Sequence, residues 1–171
     1  MYRKLNKSIK ALIACASLAV VVYVGYFQLS TSYTKTEQTL PRFVSLKQNE
    51  VYLRTGPNKK YPIDWVYLNR TMPVEIIAKF RLWRQIRDWE NTVGWVHKRL
   101  LSNKRRIIVR TGTQPLKKSP NFSSSVIAQV EAKVIGELEK CGKDWCRIKF
   151  GQYRGWMQQS QFWGRYPNEK I

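Results

Sequence analysis

The stretch "DWENTVGWVHKRLL" (88–101) carries a tryptophan, a short polar gap and a Gly-Trp pair with an apolar run behind it. About sixty residues later "DWCRIKFGQYRGWMQQSQFW" (144–163) does the same. The segments leading into these pairs alternate. "WRQIRDW" (83–89) and "WCRIKF" (145–150) set large apolar residues against charged ones with a period of two, the mark of a strand with one buried and one wet face. Trp83-x-x-Ile86 matches Trp145-x-x-Ile148, and Gly94-Trp95-Val96 matches Gly155-Trp156-Met157. The Trp-to-Gly spacing is eleven residues in one copy and ten in the other, as expected of two hairpins with different turns. The Gly-Trp pairs read as architecture. Glycine allows close strand approach and Trp95 and Trp156 fill the core, with Trp83, Ile86, Trp145 and Ile148 beside them.

Working outward, "VYLRTGP" (51–57) is echoed by "IIVRTGT" (107–113). "WVYLNRTMPVEIIAKF" (65–80) is echoed by "SVIAQVEAKVIGELEK" (125–140), with Val66 and Val74 set against Val126 and Val134. Short strands joined by Gly, Pro, Asn and Asp turns describe an all-β unit that closes into a small barrel, present twice. "EAKVIGELEK" (131–140) has helical propensity. Its partner segment contains Pro73 and β-branched residues, so it reads as strand.

The chain has 171 residues, seven Trp and nine Tyr, enough aromatic mass to fill two small cores. Its 31 basic and 11 acidic residues leave a net charge of +20, which makes anionic surfaces its natural partners. One His and three Cys supply metal and acid–base chemistry poorly. The first 35 residues stand apart. "MYRKLNKSIK" is basic, and residues 11–29 are uncharged for nineteen positions, long enough as a helix to span a bilayer. A cationic flank before such a run sends the remainder across the inner membrane, as a cleaved signal peptide or a retained signal-anchor. From Tyr33 onward 27 basic residues face all 11 acids, a net of +16 on the exported part. Residues 36–42 read as a tether, 43–102 as the first barrel and 103–167 as the second.

Leu53-Arg54-Thr55-Gly56-Pro57, Pro73-Val74-Glu75, Trp83-Arg84-Gln85-Ile86 and Gly94-Trp95-Val96 together resemble the bacterial SH3-like domain family of exported and envelope proteins. "YPIDWVYL" (61–68), "GWVHKRLLS" (94–102), "CGKDWCRI" (141–148) and "WGRYPNE" (163–169) resemble a tandem subgroup of alphaproteobacterial envelope proteins. The likeness covers about 41–169. It implies two tandem SH3-like β-barrels of five or six strands each, and no activity.

"RTGPNKKYPIDW" (54–65) is a loop by composition, with two prolines and exposed aromatics in prospect. The corresponding loop of SH3-like barrels borders a ligand groove, which makes Arg54, Lys60, Tyr61 and Trp65 the candidate contacts. The alternative is that Tyr61 and Trp65 cover the barrel end. Cys141 and Cys146 flank a four-residue turn and are a candidate disulfide where they occupy facing strand positions, which an oxidising compartment permits; the alternatives are two free thiols or half of a metal site. His97 has no nucleophile or orienting acid in its neighbourhood of sequence, so no catalytic residue is assigned, and no cofactor or metal is expected. The reading is a non-catalytic periplasmic binding module, anchored in the inner membrane through 11–29 or secreted across it. It recognises a peptidoglycan peptide or an envelope protein segment. The alternatives are a periplasmic scaffold or assembly subunit, and a nucleic-acid binder, against which the export signal argues.

Overall fold

The first sheet is built from β1 (Arg42–Leu46), β2 (Val51–Arg54), β3 (Ile63–Tyr67), β4 (Pro73–Phe80), β5 (Trp83–Arg87), β6 (Val93–His97), a 3-10 turn (Lys98–Leu100) and β7 (Leu101–Ser102). The second repeats it with β8 (Arg106–Val109), β9 (Gln114–Lys117), β10 (Val126–Val130), β11 (Ile135–Cys141), β12 (Trp145–Phe150), β13 (Tyr153–Gln158), a 3-10 turn (Gln159–Gln161) and β14 (Phe162–Trp163). This computed structural model describes residues 39–167, 169 and 171. The apolar segment 11–29 lies outside them, and among the described residues no helix is long and apolar enough to cross a membrane.

Both sheets are antiparallel, seven-stranded and wound in the same order. β3-β2-β6-β5-β4-β1-β7 in the first corresponds to β10-β9-β13-β12-β11-β8-β14 in the second. Segment 135–141 is strand, as its partner required. The strand count exceeds the five or six implied by resemblance because β7 and β14 are two residues long, too short to show a period. Each sheet closes on its own core. Val44, Leu53, Val74, Ile76, Ile86 and Val96 fill the first, and Ile107, Val109, Leu116, Ile148, Met157 and Phe162 fill the second.

The ladders also correct the register of the repeat. Arg54 pairs with Trp95 and Lys117 pairs with Trp156, so the counterpart of Arg54 is Lys117, not Arg110. The Arg-Thr-Gly at 54–56 follows the second strand of its barrel, and the one at 110–112 follows the first strand of the other. Val74 is fully buried in β4, whereas Val134 precedes β11 and is 38% exposed. Short apolar strings recur by chance, whereas hydrogen-bonded pairing does not slip without turning every side chain to the other face. The hairpin at the end of each copy has the pairing that its Trp-to-Gly spacing implies. Ile86 pairs with Gly94 and Ile148 with Gly155, across loops of different length.

The three residues between the barrels are each tied down. Arg42 donates to Asn103 Oδ1 at 3.0 Å, Ser45 Oγ donates to the Lys104 carbonyl at 2.9 Å, and Arg105 donates to the Gly164 carbonyl at 2.9 Å. The C-terminal segment then returns to the first barrel. Phe43 on β1 is buried between Trp163, at 4.8 Å between ring centroids, and Tyr166, at 4.7 Å, with the Arg105 guanidinium 5.7 Å from its ring. Glu75, 2% exposed, accepts from Arg87 Nε at 2.8 Å and from the Tyr166 hydroxyl. Burial and that bond to Glu75 push the Tyr166 hydroxyl well above its ordinary pKa. Glu169 holds Arg105 through both carboxylate oxygens. Burial alone would raise its pKa, but hydrogen bonds from Arg105 and the Tyr166 N–H, with the charges of Arg105 and Arg165, bring it below the usual range.

Phe43→Ala is expected to cost about 3–5 kcal/mol, the range for a buried phenylalanine, and to split a single urea transition into two. A depressed carboxylate stabilises the fold above its unfolded pKa and loses that contribution as pH falls through the folded value. The wild-type protein should therefore lose stability below about pH 4, near the ordinary glutamate value, and Glu169→Gln should flatten that limb of the curve.

Candidate functional site

Gly94 and Gly155 face the cores. A Cβ at residue 94 would come within 2.5 Å of the Leu53 side chain, and one at 155 within 2.7 Å of Leu116. Alternation then turns Trp95 and Trp156 outward. Both are half-buried on the outer face of the sheet, so they do not fill the core as the sequence suggested. Val96 and Met157 take that place. Trp83 and Trp145 are likewise half-buried, and only Ile86 and Ile148 of those pairs reach the interior. Trp83 stands opposite His97 with its ring edge-on at 5.6 Å.

Each outer face carries the same cross-strand row. Arg54, Trp95 and Gln85 lie side by side in the first barrel, and Lys117, Trp156 and Arg147 in the second. The cation at the head of the row braces the early loop. Arg54 Nη1 donates to the Tyr61 carbonyl at 2.8 Å. Lys117 Nζ donates to the Phe122 carbonyl at 2.6 Å and the Ser124 carbonyl at 3.2 Å. In both barrels the braced residue is an exposed aromatic, Tyr61 at 46% and Phe122 at 72%.

Of the four sequence candidates, the structure brings Arg54 and Tyr61 together. The Tyr61 ring lies on Gly56, where a Cβ would come within 2.5 Å of it. Lys60 is exposed at the loop tip, its backbone N–H donating to Asn58 Oδ1 at 3.0 Å. Trp65 is 57% exposed but paired with Leu53, while Arg54 pairs with Ile63 across a bulge. It therefore lies on the opposite side of β3 from the Arg54 row. β3 is the last strand of its sheet.

A second site belongs to the second barrel, which the sequence reading does not single out. A cavity of about 430 Å³ is bounded by Pro120, the Lys140–Trp145 end of the β11–β12 hairpin and Trp156. Phe122 meets the Trp145 ring edge-on at 5.4 Å, and Lys140 Nζ lies 5.4 Å from the Trp156 ring centroid. The Cys141–Cys146 disulfide forms between directly opposed residues, Cα atoms 4.1 Å apart, and pins this wall. Lys117 was visible in the sequence, but only strand register identifies it with Arg54. His97 accepts from the Arg99 N–H at 3.3 Å. Burial, then Arg99, Lys59, Lys98 and Arg84, hold its pKa below the usual value. Among the described residues no three His, Cys, Asp or Glu side chains are grouped to hold a metal.

The bacterial SH3 domain matches residues 47–103 and again 111–164. The chain belongs to that family. The boundaries follow the corrected register, each copy starting after the first strand of its barrel. None of the curated proteins compared matches the chain. Among solved structures, NlpC2 from Trichomonas vaginalis is 14% identical, with a TM-score of 0.35 over 76% of this chain and 50% of that one. NlpC1 from the same organism is 15% identical, with a TM-score of 0.35 over 78% of this chain and 49% of that one. An NlpC/P60 family protein from Bacillus cereus is 12% identical, with a TM-score of 0.33 over 75% of this chain and 58% of that one. The chain thus spans about half the length of these proteins, and likeness at this level says nothing of what the SH3 barrels here bind.

Ile148→Ala, deep in the second SH3 core, should cost about 2–5 kcal/mol. Trp156→Ala should cost distinctly less, since its ring is half outside. Loss of the disulfide in Cys141→Ser/Cys146→Ser should cost about 2 kcal/mol for so short a loop. Chemical denaturation measures all three, and equal losses for Ile148 and Trp156 contradict the outward placement.

Proposed function

We propose that the protein is a non-catalytic binding module of the bacterial cell envelope that reads an extended, carboxylate-bearing wall peptide or envelope protein segment. The observation that carries this reading is the repeated outer face: a cation-braced loop with an exposed aromatic, beside a half-exposed tryptophan. Aromatic rings supply apolar contact, and Lys and Arg supply charge-assisted bonds to carboxylates. Bacterial SH3 membership supports the envelope setting, as does the cationic and apolar character of residues 1–35, which suits export to the periplasm. The pinned linker supports a single ligand crossing both barrels, since two faces held at fixed separation raise each other's effective concentration. A scaffold role is the second reading. It is favoured by the exposed apolar edge strand β3, where Ile63, Trp65 and Val66 stand in solvent.

The test is co-sedimentation of the full chain, in mild detergent, with purified wall sacculi. Salt of about 1 M shortens the Debye length to about 3 Å and removes diffuse attraction. Binding should persist there in the wild type, and should fall in Tyr61→Ala/Trp95→Ala and further when Trp156→Ala is added. Binding that vanishes with salt and ignores these substitutions rejects the reading in favour of net charge alone.

A further inference from the structure

One end of the first barrel encloses a pocket of about 340 Å³ between the start of β1, the start of β5 and the 3-10 turn. Arg42, Arg84, Lys98 and Arg99 line it beside Ile76 and Leu101, and no acidic side chain does. Among the described residues none of these four cations takes part in an ion pair. Their side-chain bonds go to neutral acceptors. Arg42 uses Asn103 Oδ1, and Arg84 uses the carbonyls of Arg81, at 3.0 Å, and Trp83, at 2.7 Å. Burial, then the charges of Arg84 and Arg105, hold the Arg42 guanidinium below its ordinary pKa.

The second barrel shows that the fold does not need this charge. Arg84 pairs with Val96 as Cys146 pairs with Met157, so the disulfide cysteine occupies the Arg84 position. Gln159 and Ser160 stand where the first 3-10 turn has Lys98 and Arg99. Arg105 stands in the place of Arg42 and is neutralised by Glu169. One architecture is therefore built twice. In one copy Arg105 is compensated by Glu169 and Arg165 lies nearby, donating to Gln159 Oε1, whereas the other copy gathers four cations with no carboxylate. Like charges gathered without counter-charge oppose folding, so their presence in one copy points to an anion that joins them.

We propose that the Arg42–Arg84–Lys98–Arg99 pocket of the first barrel binds a phosphate group. A carboxylate brings one negative charge. A phosphate monoester brings about 1.5 to 2 and three acceptor oxygens, and three guanidinium forks match such oxygens in pairs. The site is separate from the aromatic rows and does not rest on the wall-peptide reading. The phosphate source is either a lipid headgroup or a soluble phosphate ester.

Titration calorimetry of the full chain in neutral detergent tests this, with inorganic pyrophosphate and dihexanoyl phosphatidic acid as probes. One-to-one saturable binding is expected. Lys98→Gln/Arg99→Gln should weaken it about tenfold or more through loss of two charge-assisted contacts. Arg110→Gln, an exposed cation of the second barrel, should leave it unchanged. Tighter binding of the lipid fragment identifies a headgroup, and tighter binding of pyrophosphate a soluble ester. The better probe should raise the melting midpoint of the wild type but not of the double variant, whose unliganded midpoint should equal or exceed that of the wild type. Absence of binding by both probes overturns the proposal. So does stoichiometry well above one, or equal weakening by Arg110→Gln.

Discussion

Leu53 lies so close over Gly94 that no side chain fits between them, and Leu116 repeats the arrangement over Gly155. Forcing a methyl group into such a contact typically costs about 1–3 kcal/mol. This approach of the second strand to the sixth makes each barrel small enough to close around a handful of aliphatic residues. It also decides what the outside looks like. With glycine facing in, its chain neighbour must face out, so each barrel carries a tryptophan on its surface beside the cation that braces the early loop. The core contact and the candidate binding face are two sides of one strand.

The duplicates share a frame and have diverged in what they place on it. The first barrel has a tyrosine on its loop, a tryptophan on its edge strand and an acid-free basic pocket at one end. The second replaces that basic position with a disulfide cysteine and builds an aromatic cavity against the same hairpin. The linker and the C-terminal segment hold the copies together through Phe43, Glu75 and Arg105. A substitution at Tyr166 or Trp163, remote from either groove, therefore acts on the spacing between them.

Much of the architecture was legible because it rests on period-two alternation and on a spacing that recurs. The all-β class, the tandem barrels, the strand at 135–141 and the cysteine pair all followed from local pattern. Register did not. Arg-Thr-Gly occurs twice on different strands, and nothing in the residues themselves tells a turn after the first strand from one after the second. The recurring Gly-Trp spacing suggests core tryptophans, but a spacing that recurs marks architecture without saying which face of the strand a side chain takes. The parity of Gly94 and Val96 around Trp95 already contained the opposite answer. Arg54 and Tyr61 were found together because they share one loop. The second cavity is not legible in the sequence because Pro120, Lys140 and Trp156 are brought together only by pairing between distant strands. The four-cation pocket was missed for the same reason, although its charge runs were plain.

The central claim is that the outward tryptophans form the ligand face. The most direct measurement follows the seven tryptophan indole N–H signals by heteronuclear NMR while soluble wall muropeptides are added. The signals of Trp95 and Trp156 should shift together and saturate, while Trp163, packed against Phe43 between the barrels, stays in place. Shifts at neither Trp95 nor Trp156, or at Trp163 alone, would contradict the account.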